Sequence, residues 1–253
     1  MDLGINDKVA FIGGSSQGIG KSIAMELSKE GVQPIITGRN LNSLTDTQNE
    51  IHKETGITPY IIRGDLSIEK DRIRIVNSAL NEYNKVDIVI TNSGGPPAGK
   101  FDDFDSENWR NAYELLLGNP TSIIRGFLPG MKEQNWGRII TITSMAVKQP
   151  VKNLILSNSV RVSVVGLVKS LSNEVAQYNI TVNNVMPGYT DTERLQELIE
   201  ANPSFNMAKN EIPMGRFADP CEIGYAVAFL SSQKASYITG ISLAVDGGWT
   251  KSL

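Results

Sequence analysis

Gly14, Gly18 and Gly20 stand in the run GGSSQGIGKS, between a short β-branched stretch and an amphipathic one. Glycines so placed permit a tight strand-to-helix turn and let backbone N–H groups approach a pyrophosphate, whose charge a helix N-terminus favours. The chemistry this implies is dinucleotide binding. Gly20-Lys21-Ser22 invites comparison with a nucleoside-triphosphate loop, but that loop needs a glycine five residues before Gly20, and Ser15 is there. Cys221 is the only cysteine and His52 the only histidine. No Cys/His metal cluster can be assembled from them, nor a triad built on another histidine, so no metal is expected. Cys221 reads as a helix residue, and His52, among the charges of EIHKE, as a solvated helix position.

The elements that must hold this loop are legible in the rest of the chain. Its 253 residues, 40% hydrophobic and 20% charged, suffice for one large core, and a single domain over 1–253 is expected. A net charge of -3 leaves no cationic excess for a phosphate backbone, so a small-molecule substrate is expected rather than nucleic acid. The N-terminal MDLGINDK lacks the regions of a signal peptide, and the longest apolar run, VSVVGLV, falls well below the roughly 20 residues of a membrane helix. The expected location is the cytoplasm. KVAFIG, QPIIT, TPYIIR, VDIVIT, GRIITIT, ITVNNVM and GISLAVD read as strands. Several are apolar nearly throughout, as parallel strands covered on both faces must be, and the segments between them carry helical spacing, as in Ile23/Leu27 and Ile73/Val76/Leu80. The fold class is α/β: a doubly wound, Rossmann-type parallel sheet with helices on both faces.

Further motifs follow in order: GDL with Asp65, NSG from Asn92 to Gly94, TSM with Ser144, PGYTDT from Pro187 to Thr192, and a closing VDGGW. With the glycine loop, they make the chain resemble the short-chain dehydrogenase/reductase family over essentially its whole length. The resemblance implies a seven-stranded sheet, a homotetramer or homodimer, and a nicotinamide dinucleotide. It places the cofactor against Gly14, Ser16, Gly18, Ile19 and Gly20. Asp65 and Leu66 would meet the adenine, and Asn92 and Gly94 follow the fourth strand. Pro187, Gly188, Thr190 and Thr192 complete the set. The second strand ends in Gly38, where an acid would hold the ribose 2'-hydroxyl of NAD, and Arg39 follows; an arginine fork suits a 2'-phosphate, so NADP(H) is expected in preference to NAD(H).

The family's catalysis implies an Asn-Ser-Tyr-Lys relay, with the tyrosine thirteen residues after the serine and the lysine four further on. Counting from Ser144 leads to Ser157 and Arg161. Placing Trp109, Arg125 and Met131 on the family pattern puts Leu116 at the asparagine position. A serine hydroxyl is a far weaker acid than a phenol, and a guanidinium holds its proton, so Ser144, Ser157 and Arg161 can polarise an oxygen but form no acid relay of the usual kind. The resemblance also makes Arg161 a ribose contact. Pro120 lacks an N–H, and an α-helical register predicts that it frees the Leu116 carbonyl, where the resemblance implies a relay water. Lys148, Lys152, Tyr113 and Tyr189 are the remaining candidates for a proton source.

Two functions are consistent with these residues. One is an NADP(H)-dependent oxidoreductase of a carbonyl or alcohol, 3-oxoacyl reductase-like or sugar/polyol dehydrogenase-like, with a degenerate relay. The other is an NADP(H)-binding pseudoenzyme or nucleotide-responsive regulator. Non-redox relatives that carry Arg for Lys keep the Tyr and lose the glycines, the reverse of this chain. The helix expected over Ser157–Gln177 is apolar on more than one face, which calls for cover beyond its own sheet.

Overall fold

The computed structural model describes residues 2–201 and 203–252; Met1, Asn202 and Leu253 of the expected 1–253 domain lie outside the described residues. Seven strands form one sheet in the order β3-β2-β1-β4-β5-β6-β7, and every neighbouring pair is parallel. They are β1 (Val9–Ile12), β2 (Gln33–Gly38), β3 (Tyr60–Arg63), β4 (Ile88–Thr91), β5 (Gly137–Ile142), β6 (Ile180–Pro187) and β7 (Ser242–Val245). Each lies within the stretch expected for it, or one residue beyond.

The sheet is apolar on both faces because alternate residues enter different layers. Ala10 and Ile12 of β1 join Ile88 and Ile90 of β4 in a core with α1 (Gly18–Lys29) and α8 (Pro220–Ser231). Val9, Phe11 and Val89 face the other layer, with α3 (Glu69–Tyr83), α5 (Asn119–Glu133) and α6 (Ile155–Val175). Phe11 and Phe127, both fully buried, meet there in a tilted pair with 5.4 Å between centroids. Burying a side chain of that size contributes about 2–3 kcal/mol. α2 (Leu41–Thr55) starts on an Asn40 side-chain cap and ends at Gly56 in the left-handed region. His52 lies exposed on it, and Cys221 sits in the first turn of α8, as expected. No helix among the described residues is long and apolar enough to cross a membrane.

Two local expectations need correction. The SNSVR helix begins at Ile155, two residues early, and its α-helical part ends at Val175, with a 3₁₀ turn over Ala176–Tyr178. The segment around Pro120 is not a kinked α-helix. After α4 (Ser106–Tyr113) comes a π turn over Glu114–Gly118, in which the Asn119 N–H bonds to the Glu114 carbonyl five residues back, and α5 resumes at Asn119. In that five-residue register the N–H that Pro120 lacks would have met the Leu115 carbonyl, which lies 3.5 Å from Ser93 Oγ. The π turn is held by Arg72, a buried residue of α3 that donates to the Glu114 carboxylate at 2.7 Å and to the Leu66 carbonyl at 3.0 Å. Gly118 leaves room for that carboxylate, since a Cβ there would lie 2.7 Å from Glu114 Oε2.

Parallel pairing puts every strand's carboxyl end on one edge, and strand order reverses between β1 and β4. That edge is where a doubly wound sheet opens a crevice. The glycine loop, NSG, TSM and PGYTDT follow β1, β4, β5 and β6, so all four motifs converge there.

Candidate active site

Two adjoining cavities, of about 300 and 650 Å³, run along this edge and share Gly14, Gln17 and the stretch Ser93–Pro96. The glycine loop divides them. Gly14 and Gly18 both have φ +55, and Gln17 caps α1 without a side-chain bond, which leaves the first-turn N–H groups without that partner at the cleft. A Cβ on Gly20 would collide with the Gly14 carbonyl, so the turn closes only on glycine. Asn92 Nδ2 donates to the carbonyls of Gly13 and Gly14 at 3.1 and 3.2 Å, and thus pins the loop to the end of β4. Ser15, which sequence reasoning passed over, does the same toward β2: its buried hydroxyl donates to the Ile12 carbonyl at 2.8 Å and accepts the Thr37 N–H at 2.9 Å. A glycine turn fixed at the sheet edge, a helix N-terminus without a side-chain cap and a long cavity fit a dinucleotide.

The larger cavity takes Ser16, Arg39, Asp65 and Leu66 from the expected set. Asp65 Oδ1 accepts from the Ser67 N–H and hydroxyl at 2.9 and 2.7 Å, which fixes the loop after β3. Arg39 is the only cation lining this cavity among the described residues and lies exposed beside Gly38. Arg63 Nε donates to the Arg39 carbonyl at 3.0 Å and adds a second positive charge at this corner, another residue that no sequence signal picked out. Gly38 is packed closely: a Cβ there would meet Ser16 Oγ at 3.1 Å. An acid cannot enter this position without moving Ser16.

The smaller cavity gathers Gly18, Ile19, Gly20, Asn92 and Gly94 with Pro187, Gly188, Thr190 and Thr192. It also gathers Ser144, Ser157 and Arg161. Ser144 Oγ accepts the Ala146 N–H at 3.1 Å, capping a 3₁₀ turn over Met145–Val147. Arg161, one turn after Ser157 on α6, donates from Nε to Ser157 Oγ at 3.1 Å. Its Nη1 reaches the carbonyls of Ile142 and Thr143 at 3.2 and 3.1 Å, and Nη2 that of Gly94 at 3.5 Å. Burial lowers the Arg161 pKa to about 10, so it stays a cation at neutral pH. Its donors are committed to the chain, which leaves little of the guanidinium for a ribose. Both serine oxygens act as acceptors, so each hydroxyl proton is free to be donated.

The four alternative proton sources separate. Lys148 and Lys152 are exposed, Tyr113 is half exposed, and none of the three lines either cavity. Tyr189 lines the smaller one, packed against Phe217 and Trp249. Burial, then the charge of Glu211, raises its pKa, which makes it a weaker acid than a free phenol. The walls there are apolar: Met145, Val151 and Leu195 belong to a third buried cluster against which Leu154 and Leu198 pack.

A family model described as enoyl-(acyl carrier protein) reductase matches residues 14–250, all but the termini of the chain. NADPH-dependent reductase BacG of Bacillus subtilis is 30% identical over 261 residues, covering 98% of this chain and 100% of its own. The chain is a short-chain dehydrogenase/reductase. The 3-oxoacyl-(acyl-carrier-protein) reductase FabG of Aquifex aeolicus is likewise 30% identical over 248 residues, with 98% and 99% of the two chains covered. L-sorbose reductase of Gluconobacter frateurii, solved with NADPH and L-sorbose, superposes with a TM-score of 0.94 at 30% identity across 100% of both chains. The short-chain dehydrogenase/reductase fold thus carries, in this chain, a Ser157–Arg161 pair built into the main chain at the ends of β4 and β5.

Proposed function

We propose that this protein is a cytoplasmic, single-domain, NADP(H)-dependent oxidoreductase acting on a carbonyl or alcohol attached to an apolar body. The observation that carries this reading is the Arg161 Nε bond to Ser157 Oγ, which occupies the oxygen as an acceptor and leaves the hydroxyl to donate, in a cavity that Ser144 also lines. Two hydroxyl donors beside a buried cation polarise a carbonyl oxygen and stabilise the alkoxide that forms on reduction. A nicotinamide bound along this edge would supply the hydride in one direction and accept it in the other. Gly14, Gly18 and Gly20 would hold its pyrophosphate on the α1 N-terminus, with Asp65 and Leu66 beside the adenine. The apolar wall formed by Met145, Val151, Leu154, Leu195 and Leu198 favours an acyl chain on that side of the cavity. NADPH oxidation against a panel of aliphatic ketones and 3-oxoacyl thioesters tests the assignment. Absence of turnover by protein shown to bind NADPH would favour the pseudoenzyme, which the names of the relatives do not support.

Arg39 is proposed as the residue that prefers NADP(H). Arg39→Ala should weaken NADPH binding roughly tenfold to a hundredfold, the loss of one or two charge-assisted bonds, and leave NADH within about twofold. Fluorescence titration of both nucleotides reads this directly, and a parallel loss for both would remove Arg39 as the discriminator.

A homotetramer, or a homodimer, is proposed from the faces that stay uncovered. Val162 on α6 is 48% exposed, while Val164 and Val168 on the same helix are buried. Tyr237 near the β7 edge is fully exposed. Sedimentation at micromolar concentration should show the oligomer, and a monomer there would overturn it.

A further inference from the structure

Arg194 is, with Arg161, one of two cations lining the smaller cavity among the described residues, and it makes a single main-chain bond, to the carbonyl of buried Pro96. It is the second residue of α7 (Glu193–Ala201). A positive charge in a first turn opposes the helix dipole, and an arginine three residues before its acid is the weaker order for an ion pair. The pair it makes, with Glu197 at 3.4 Å, is solvent-exposed at both ends, 44% and 63%, and such pairs contribute little. Nothing local accounts for the residue. It reaches across the cleft instead: Nη2 donates to the Pro96 carbonyl at 3.1 Å, and a Cβ on Gly95 would lie 3.9 Å from its Nε. Gly95 and Pro96 border both cavities, so the guanidinium stands where the two halves of the cleft meet. Its neighbour Glu193, the cavity's only carboxylate among the described residues, turns toward the glycine loop, 3.7 Å from where a Gly18 side chain would begin.

We infer that Arg194 is an oxyanion-binding residue of the cleft, taking a phosphate or carboxylate in exchange for the Pro96 carbonyl. A planar fork held by one main-chain acceptor and one exposed acid exchanges those partners for a charged bidentate ligand, whose paired charge-assisted bonds outweigh the single neutral bond to Pro96. Arg161, the cavity's other cation, is tied to Ser157 and three main-chain carbonyls and cannot serve. The oxyanion has two sources: the phosphates of the dinucleotide, or an acid carried by the substrate. The second source rests on the oxidoreductase reading above, whereas the first requires only that the protein bind NADPH.

The experiment compares the parent with Arg194→Gln, which keeps the reach and loses the charge, and Arg194→Lys, which keeps the charge and loses the fork. NADPH affinity is measured by fluorescence titration without substrate. On NADPH-saturated protein, calorimetry then measures affinity for 7-oxooctanoate and its methyl ester. If the phosphates are the ligand, Arg194→Gln weakens NADPH at least tenfold and Arg194→Lys less. If a substrate acid is the ligand, NADPH affinity holds, the parent prefers the acid to the ester at least tenfold, and Arg194→Gln abolishes that preference. Changes below twofold in both arms would show that Arg194 only ties α7 to the Pro96 loop, and would overturn the inference. Neither arm measures turnover, so a protein without reductase activity could still pass or fail the test.

Discussion

Arg161→Met should destabilise the protein by about 3 kcal/mol or more and remove most of its affinity for NADPH. The methionine fills the volume but leaves the buried carbonyls of Ile142 and Thr143, and the Ser157 hydroxyl, without the donor they now share, and frees the exposed Gly94 carbonyl to water. Each buried acceptor stripped of its partner costs on the order of 1–3 kcal/mol, so even partial rescue by water leaves a large deficit. Those carbonyls end β5 and follow β4, on the edge where the glycine loop is anchored through Asn92, so the loss reaches the cofactor cleft. Arg161→Lys should recover only part, because one ammonium cannot reach all four acceptors. Denaturant midpoints at unchanged slope measure the effect; a methionine variant within about 1 kcal/mol of the parent would show the clamp to be incidental.

The second large effect concerns rate. Turnover of simple ketones is expected to fall roughly 10²- to 10⁴-fold below that of relatives with the tyrosine, the usual contribution of a positioned general acid. Binding of NADPH should be normal, since it depends on the glycine loop and Arg39. Ser157→Tyr with Arg161 retained should recover part of the rate, because the cavity of about 300 Å³ lies where the ring would extend and a guanidinium beside a phenol lowers its pKa. Adding Arg161→Lys should lower stability rather than complete the rescue, for the reason given above. Stopped-flow oxidation of NADPH separates chemistry from binding. A fast parent enzyme whose activity vanishes in Tyr189→Phe would place the acid on the one alternative that lines the cavity.

Much of this was legible in the chain. The seven β-branched runs could be placed within about two residues, since strands covered on both faces are apolar nearly throughout and stand out from the amphipathic segments between them. The glycine loop was legible from its residues and Asp65, Asn92, Ser144 and the PGYTDT turn from their likeness to the family's motifs; the parallel topology, which brings all strand ends to one edge, is why they meet. What escaped depended on partners distant in sequence. Asn92 and Ser15 lock the glycine loop, but their partners, the Gly13 and Gly14 carbonyls for one and Ile12 and Thr37 for the other, are brought to them only by the sheet register. The commitment of Arg161 to three carbonyls could not be read from a position count. Arg194 carried no motif at all, and its meaning comes from the loop it spans. The error at Pro120 came from assuming four residues per hydrogen-bonded turn where the chain uses five.

That fifth residue acts as a phase offset. Each residue of an α-helix turns the chain by about 100°, so one extra between α4 and α5 rotates everything after it relative to everything before. Ile123 and Phe127 face the sheet only because the offset is present, and Ser93 finds the Leu115 carbonyl for the same reason. Most insertions and deletions are absorbed where loops can lengthen. Within Glu114–Gly118 a change of one residue would instead be transmitted as a rotation of the whole of α5, which makes the count of residues there as constrained as their identity.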